Sequence, residues 1–205
     1  MKLLEDAVIQ VERNDLKRYP IYKGGEFEDR KPGIHVSGIY REIAVKLKYF
    51  KAIQELDEES IPTRWLGGMA WEEFVLSLYP DVTWQPGAIE VDGVWMTCDG
   101  LTSGTKWTPN HYLIEECKST HKKVQTGTQF IDIVENWLYL TQGRAYCKGY
   151  ESNVVRWHVY YVNGDYRGSG PIYKRFTVQF TQEEIEGNWR MLMNHKHLAT
   201  PEKEK

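Results

Sequence analysis

The stretch from Val94 to Ser119 constrains this chain more than any other. It reads Val94-Trp95-Met96-Thr97-Cys98-Asp99-Gly100, then a polar interruption from Thr102 to Pro109, then His111-Tyr112-Leu113-Ile114-Glu115-Glu116-Cys117-Lys118-Ser119. Such runs, separated by turn formers, predict two strands joined by a loop. Side chains alternate along a strand, so Trp95, Thr97 and Asp99 share one face of the first, and Tyr112, Ile114, Glu116 and Lys118 share one face of the second. Where those faces coincide, two carboxylates and an amine converge. Hard divalent cations want carboxylate oxygens, and a lysine beside them can hold or deprotonate a water. The trio therefore suits metal-assisted hydrolysis of a phosphodiester.

Periodicity places the rest. Ser37 can cap a helix running to about Leu56, with Ile39, Ile43, Leu47 and Phe50 as its apolar stripe and Lys46, Lys48 and Lys51 on its solvated side. A second helix is expected from Thr63 to Tyr79, stopped by Pro80. Gly67-Gly68 inside it costs about 1 kcal/mol per residue relative to alanine and asks for a close approach to another backbone or to a substrate. Val82 to Val91 reads as a strand bent at Pro86-Gly87, and Asp92-Gly93 as a two-residue hairpin turn. A helix from about Gln129 to Lys148 buries Phe130, Ile133, Val134, Trp137, Leu138 and Ala145, with Glu135, Tyr139, Gln142 and Tyr146 along its flank. Strands over Val154–Val162 and Ile172–Phe180 follow, and Thr181-Gln182-Glu183-Glu184 is a capping box opening a last helix to about His195. The order ααβββαββα predicts an α/β fold, a mixed central sheet flanked by helices. The expected organisation is one domain over 37–199, with 1–36 as an N-terminal extension packed on it and 200–205 as a disordered tail.

Composition narrows the partners. Lys and Arg number 26 against 29 Asp and Glu, a formal net charge of −3, so a nucleic-acid partner would be met by local basic groups rather than by a basic surface overall. No run approaches the roughly 18 apolar residues of a membrane span, and Met1 to Asp6 lacks the apolar core of a signal peptide. Three cysteines without a Cys-x-x-Cys argue against a disulfide framework or zinc knuckle. The expectation is a cytoplasmic protein, in the host cytoplasm if phage-encoded. Eight Trp and thirteen Tyr could stack on unpaired bases, but core packing is the more ordinary use of any one ring.

In a chain that is 27% charged, Asp followed by Glu-x-Lys arises by chance, so weight falls on two further features. Asp99, Glu116 and Lys118 resemble the core motif of the PD-(D/E)XK nuclease superfamily, with Cys98 where the proline of that name would stand. Gly68-Met69-Ala70-Trp71-Glu72 resembles the Gly-x-x-x-Glu of lambda-type phage exonucleases, with Trp71 where RecB-type relatives often carry histidine. Gln142-Gly143-Arg144-Ala145-Tyr146 is similar to the Gln-x-x-x-Tyr found after the catalytic strands in RecB-like members.

The resemblance implies a restriction-endonuclease-like core in which Asp99 and Glu116 bind one or two magnesium or manganese ions, with the Cys117 backbone carbonyl as a further ligand. Glu72 would bind metal directly or through water. Lys118 would position or activate the attacking water and counter charge at phosphorus, and Gln142 with Tyr146 would contact DNA or orient the site. Glu115 is disfavoured because a one-residue shift moves it to the other face of the strand, while Glu72 over Glu73 rests on the motif alone. Arg144, His121, Lys122 and Lys123 are candidate phosphate contacts. Some RecB-like nucleases hold an iron–sulfur cluster through four cysteines; Cys98, Cys117 and Cys147 are all this chain has, so no cluster is expected. Cys98 and Cys117 alternate with the two acids and are expected to point away from them.

The implied activity is a metal-dependent DNA exonuclease in a phage or prophage recombination, repair or degradation setting. A structure-specific or nicking endonuclease and a catalytically inactive DNA-binding module are the alternatives. DNA is the implied partner; a single-strand annealing or binding protein and further copies of the chain are partners by family analogy.

Overall fold

The computed structural model of the protein describes residues 1–8, 31–47, 68, 70–75, 77–120, 136–162 and 170–201. In chain order these form β1 (Lys2–Val8), α1 (Val36–Lys46), a helical stretch at residues 70–75, β2 (Val82–Trp84), β3 (Ile89–Val91), β4 (Val94–Met96), β5 (Gly100–Ser103) and β6 (Tyr112–Thr120). Then come α2 (Trp137–Gly149), β7 (Val154–Tyr161), β8 (Ile172–Gln179) and α3 (Gln182–Asn194), with a short 3₁₀ turn at Lys196–Leu198.

One six-stranded mixed sheet, ordered β1-β8-β7-β6-β5-β2, carries the fold, and β3 with β4 forms a separate hairpin. Only β6 and β7 pair in parallel within that sheet, with Glu116 opposite Trp157 and Lys118 opposite Val159. A parallel pair needs a crossover, and α2 lies in it. Burial divides by face. On one side α1, α2 and α3 close a core around Ile39, Ile114, Trp157 and Phe176; on the other, Val75, Cys117 and Tyr173 pack with Trp71, Phe74, Tyr79 and Trp84. Gly143 sets the first layer's thickness, because a Cβ there would meet Trp157 Cζ2 at 2.5 Å. The helix can therefore lie close to the sheet only with glycine at that position.

Several expectations match. Asp92 and Gly93 have φ of 50° and 71°, the doubly left-handed turn of a two-residue hairpin. Thr181 and Glu184 exchange both bonds of a capping box.

Others need correction. The chain opens on a strand, β1, which forms an edge of the main sheet by pairing with β8, so residues 2–8 are part of the sheet itself. The single strand expected over Val82–Val91 is two, β2 and β3, in different sheets, and the one expected from Val94 breaks between Met96 and Gly100. α1 has His35 rather than Ser37 at its N-cap position, with no capping bond from the His35 side chain, and ends at Lys46 with Leu47 exposed; Phe50 and Leu56 lie outside the described residues. Its buried stripe is Val36, Ile39, Tyr40, Ile43 and Ala44, rotated from the one expected. α2 begins at Trp137, because the Asn136 side chain caps it by accepting from Tyr139 N–H; residues 129–135 lie outside the described residues. Among the described residues nothing lies within 4 Å of a Cβ at Gly68, and Gly67 lies outside the described residues. Among the described residues no helix is long and apolar enough to cross a membrane.

Thermal or urea unfolding checks the packing of α2. Gly143→Ala is expected to cost about 1–3 kcal/mol by overpacking against Trp157, whereas Gly187→Ala, with open space around its Cβ, should gain about 0.4–1 kcal/mol.

Candidate active site

Asp99 stands where the antiparallel ladder stops. β5 pairs with β6 only as far as Gly100 opposite Glu115, so beyond that residue β6 has a free edge on this side. The Asp99 carboxylate fills it, Oδ2 accepting the Cys117 N–H at 2.7 Å. The N–H and C=O of one strand residue point to the same neighbour, so the Cys117 carbonyl is directed to this edge as well. Glycine follows Asp99 because a Cβ at Gly100 would meet Val82 Cγ1 at 2.7 Å.

Glu116 is reached from two elements. Lys118, two residues along the same strand face, donates from Nζ to Glu116 Oε1. Gln142, from α2, donates from Nε2 to the same oxygen at 2.9 Å and to the Tyr146 hydroxyl at 2.7 Å. The i,i+4 pair on the helix flank is thus buried and turned onto the carboxylate. Lys118 also lies 5.9 Å from the centre of the Tyr139 ring.

Glu72 comes from the other layer. Its Oε1 accepts the Trp84 indole N–H at 3.2 Å. It feels the charge of Asp99, and Glu116 feels the charges of Asp99 and Glu72, so the three carboxyls form one electrostatic cluster.

Burial and mutual repulsion outweigh the stabilising contacts. Burial, then Asp99, push the Glu116 carboxyl up to about 8, against the pull of Lys118. Burial and Asp99 push Glu72 up to about 7. Asp99 is raised by burial although Lys118 and the Cys117 N–H lower it. Lys118 is held well above the usual lysine range by Glu116 and Asp99, despite its desolvation, so it remains an ammonium. Among the described residues three carboxyls face one ammonium, and a proton or a cation relieves the excess.

Glu115 is committed elsewhere. Fully buried on the opposite face, it accepts from Thr102 Oγ1 at 2.5 Å, from Arg156 Nε at 2.8 Å, and from Arg156 Nη2. His158 Nε2 lies 2.9 Å from it, and His158 Nδ1 lies 2.5 Å from the Tyr173 hydroxyl. Burial holds His158 below its usual value; as a neutral ring it donates to Glu115 and accepts from Tyr173. His158 and Arg156 outweigh desolvation and draw the Glu115 carboxyl down to about 2. The choice of Glu116 over Glu115 as the available acid is therefore physical.

The other expected site residues divide. Arg144 does not join this set: its guanidinium packs over the Phe180 ring at 5.0 Å and lies 3.6 Å from Glu184. His121, Lys122 and Lys123 lie outside the described residues. Cys117 faces the second layer as expected, but Cys98 sits in the main core with Tyr146, because the break before Gly100 interrupts the alternation. Trp71, in the histidine position of the motif, stacks on Tyr160 at 4.7 Å and donates to the His158 carbonyl. Sequence reasoning missed Tyr40, which lies within electrostatic reach of Lys118 and Tyr146. It missed Trp84 too. Tyr40 carried a signal in its fourfold spacing with Val36 and Ala44; Trp84 carried none, since its role arises from tertiary contact.

The cluster fits a hard divalent cation. Glu116 Oε2 is buried with no hydrogen-bond partner among the described residues, while Oε1 takes both Lys118 and Gln142. Among the described residues no three His, Cys, Asp or Glu side chains form a ready-made cage. Magnesium seldom needs one, being held by one or two carboxylates with water and substrate phosphate completing the shell. Asp99 and Glu116, with the Cys117 carbonyl beside them and Glu72 further out, match that pattern.

No family model matches the chain. No curated protein matches it either. Among solved structures it is similar to SSO0001, at a TM-score of 0.48 and 12% identity over 85% of this chain and 80% of that one. It is also similar to a phage related exonuclease from Haemophilus somnus 129PT, at a TM-score of 0.47 and 11% identity over 94% of each chain.

The raised Glu116 predicts a sign. A carboxyl near 8 in the folded chain and 4.5 unfolded favours folding below 4.5, and that contribution is lost as pH rises through 8. His158 has the opposite slope below about 6.5, so comparison with a variant isolates Glu116. In urea unfolding with EDTA, Glu116→Gln should gain stability relative to the native chain as pH goes from 5.5 to 8.5; a constant difference would contradict the assignment. Glu115→Ala should cost about 3–5 kcal/mol, because it leaves Arg156 buried without its partner.

Proposed function

We propose that this protein is a metal-dependent deoxyribonuclease of the PD-(D/E)XK type, cutting phosphodiester bonds from DNA ends. The observation that carries the reading is the pair of donors, Lys118 and Gln142, on Glu116, with Tyr146 bonded to Gln142 behind it and Asp99 bonded to the next residue of β6. Residues from three separate stretches of sequence, picked out by their spacing, occupy one site. The restriction-endonuclease-like arrangement is the finer form of the mixed, helix-flanked sheet.

A bound magnesium or manganese ion would polarise a phosphoryl oxygen and help generate the attacking nucleophile from water. Asp99 and Glu116 supply oxygen donors for it, the Cys117 carbonyl a third, and Glu72 a fourth directly or through water. Lys118, kept protonated by the acids around it, acts as a hydrogen-bond donor and cation toward the reacting phosphate or water. That argues against lysine as a base. Gln142 is buried and donates to Glu116, and the buried Tyr146 hydroxyl accepts from Gln142, so the pair orients the carboxylate rather than gripping the DNA backbone.

Action from ends, a phage or prophage setting, a cytoplasmic location, a strand-annealing partner and assembly with further copies come from the family resemblance. An endonuclease of the same type is the second reading. The intact acidic pair and lysine favour chemistry over a binding-only module.

An assay with end-labelled linear duplex, single strand and covalently closed circle, in magnesium, manganese or EDTA, tests this. Linear DNA should be degraded with either metal and not in EDTA, and Asp99→Ala, Glu116→Ala and Lys118→Ala should each abolish it. Gln142→Ala should slow turnover about 10–100-fold. Near-full activity in any of the first three variants would overturn the site, and cleavage of the closed circle would favour the endonuclease. DNA affinity should fall as salt rises, because phosphate contacts release counterions.

A further inference from the structure

One flank of α2 meets β6 side chain by side chain. Gln142 reaches Glu116, and Tyr146, one turn later, accepts from Gln142. Tyr139, one turn earlier on the same flank, stands by Lys118, whose ammonium lies over its ring at 5.9 Å from the centre. These residues differ in depth. Glu116, Gln142 and Tyr146 are buried, whereas Lys118 and Tyr139 are half-buried. Lys118 and Tyr139 therefore form the outer side of the set, where it opens toward solvent.

Lys118 needs more than Glu116 to hold it still. A lysine ammonium ends a flexible four-carbon stem and carries three donors that rotate together, and the bond to Glu116 Oε1 engages one of them. An aromatic face attracts an ammonium within about 6 Å of the ring centre, more strongly where water is excluded. The Tyr139 ring is itself held in place. It packs against the main core, and its residue lies in the first turn of α2, where its N–H donates to the Asn136 side chain. The carboxylate and the ring thus hold the ammonium from two elements, strand and helix.

We propose that Tyr139 is a positioning residue for Lys118: its ring, together with the Glu116 carboxylate, fixes the ammonium so that the remaining N–H groups meet the reacting phosphate or water in one geometry. This rests on the nuclease reading of the site. An ammonium free to wander would still balance the acids' charge, but it would lose the fixed placement on which rate depends.

Steady-state cleavage of end-labelled linear duplex by the full-length chain in magnesium, with manganese titration and thermal unfolding of the same variants, tests it. Tyr139→Phe keeps the ring and should retain kcat within about twofold, whereas Tyr139→Leu keeps an apolar side chain without the ring and should lower kcat about tenfold with KM little changed. Both should bind manganese like the native chain, since the carboxylates are untouched. A purely structural role predicts a lowered unfolding midpoint with kcat per folded molecule unchanged. Native kcat in Tyr139→Leu, an equal loss in Tyr139→Phe, or weakened manganese binding in Tyr139→Leu would each refute the role of the ring while leaving the cleavage reading in place. If the native chain cleaves no DNA with either metal, the nuclease reading falls and the role of Tyr139 with it.

Discussion

The site depends on an imbalance of charge held away from water. Among the described residues Asp99, Glu116 and Glu72 face a single ammonium, Lys118, and burial raises all three carboxyls despite the groups that bond them. Burying unpaired charge is costly, so each acid is given specific partners: a backbone N–H for Asp99, Lys118 and Gln142 for Glu116, and the Trp84 indole for Glu72. The residual excess of negative charge, with Glu116 Oε2 left without a partner, is the property that suits the cluster to a divalent cation.

Strand β6 makes this possible by keeping two acids apart. Glu116 and Lys118 turn to the α2 face, while Glu115 turns to the other, is neutralised by Arg156 and accepts a hydrogen bond from His158. A slip of one residue would exchange the faces, placing Glu115 against Lys118 and stranding Arg156. The parallel pairing that aligns Glu115 with Arg156 and Cys117 with His158 therefore also fixes the site. Gly143 completes the arrangement, letting α2 approach Trp157 closely enough for Gln142 to reach Glu116.

Features set by local spacing were legible in the sequence. Alternation separated Glu116 from Glu115, and i,i+4 spacing paired Gln142 with Tyr146 on α2 before either had a partner across the sheet. The capping box at Thr181 and the Asp92-Gly93 turn were local too. Features set by tertiary contact were hidden. β1 gains its place only by pairing with residues about 170 positions away. Arg144 has the composition of a phosphate contact but packs on Phe180. The break that carries Asp99 was hidden although an Asp-Gly pair stands there, since its geometry is set by stitching to Tyr150 and to the Gln85 backbone.

The central claim is that this excess of buried carboxyls takes up a divalent cation in exchange for protons. Calorimetric titration with magnesium at pH 7, repeated in buffers of different ionisation enthalpy, counts those protons. The account predicts saturable binding with net proton release, both lost in Asp99→Ala. Absence of binding, or binding that releases no proton and survives Asp99→Ala, would contradict it.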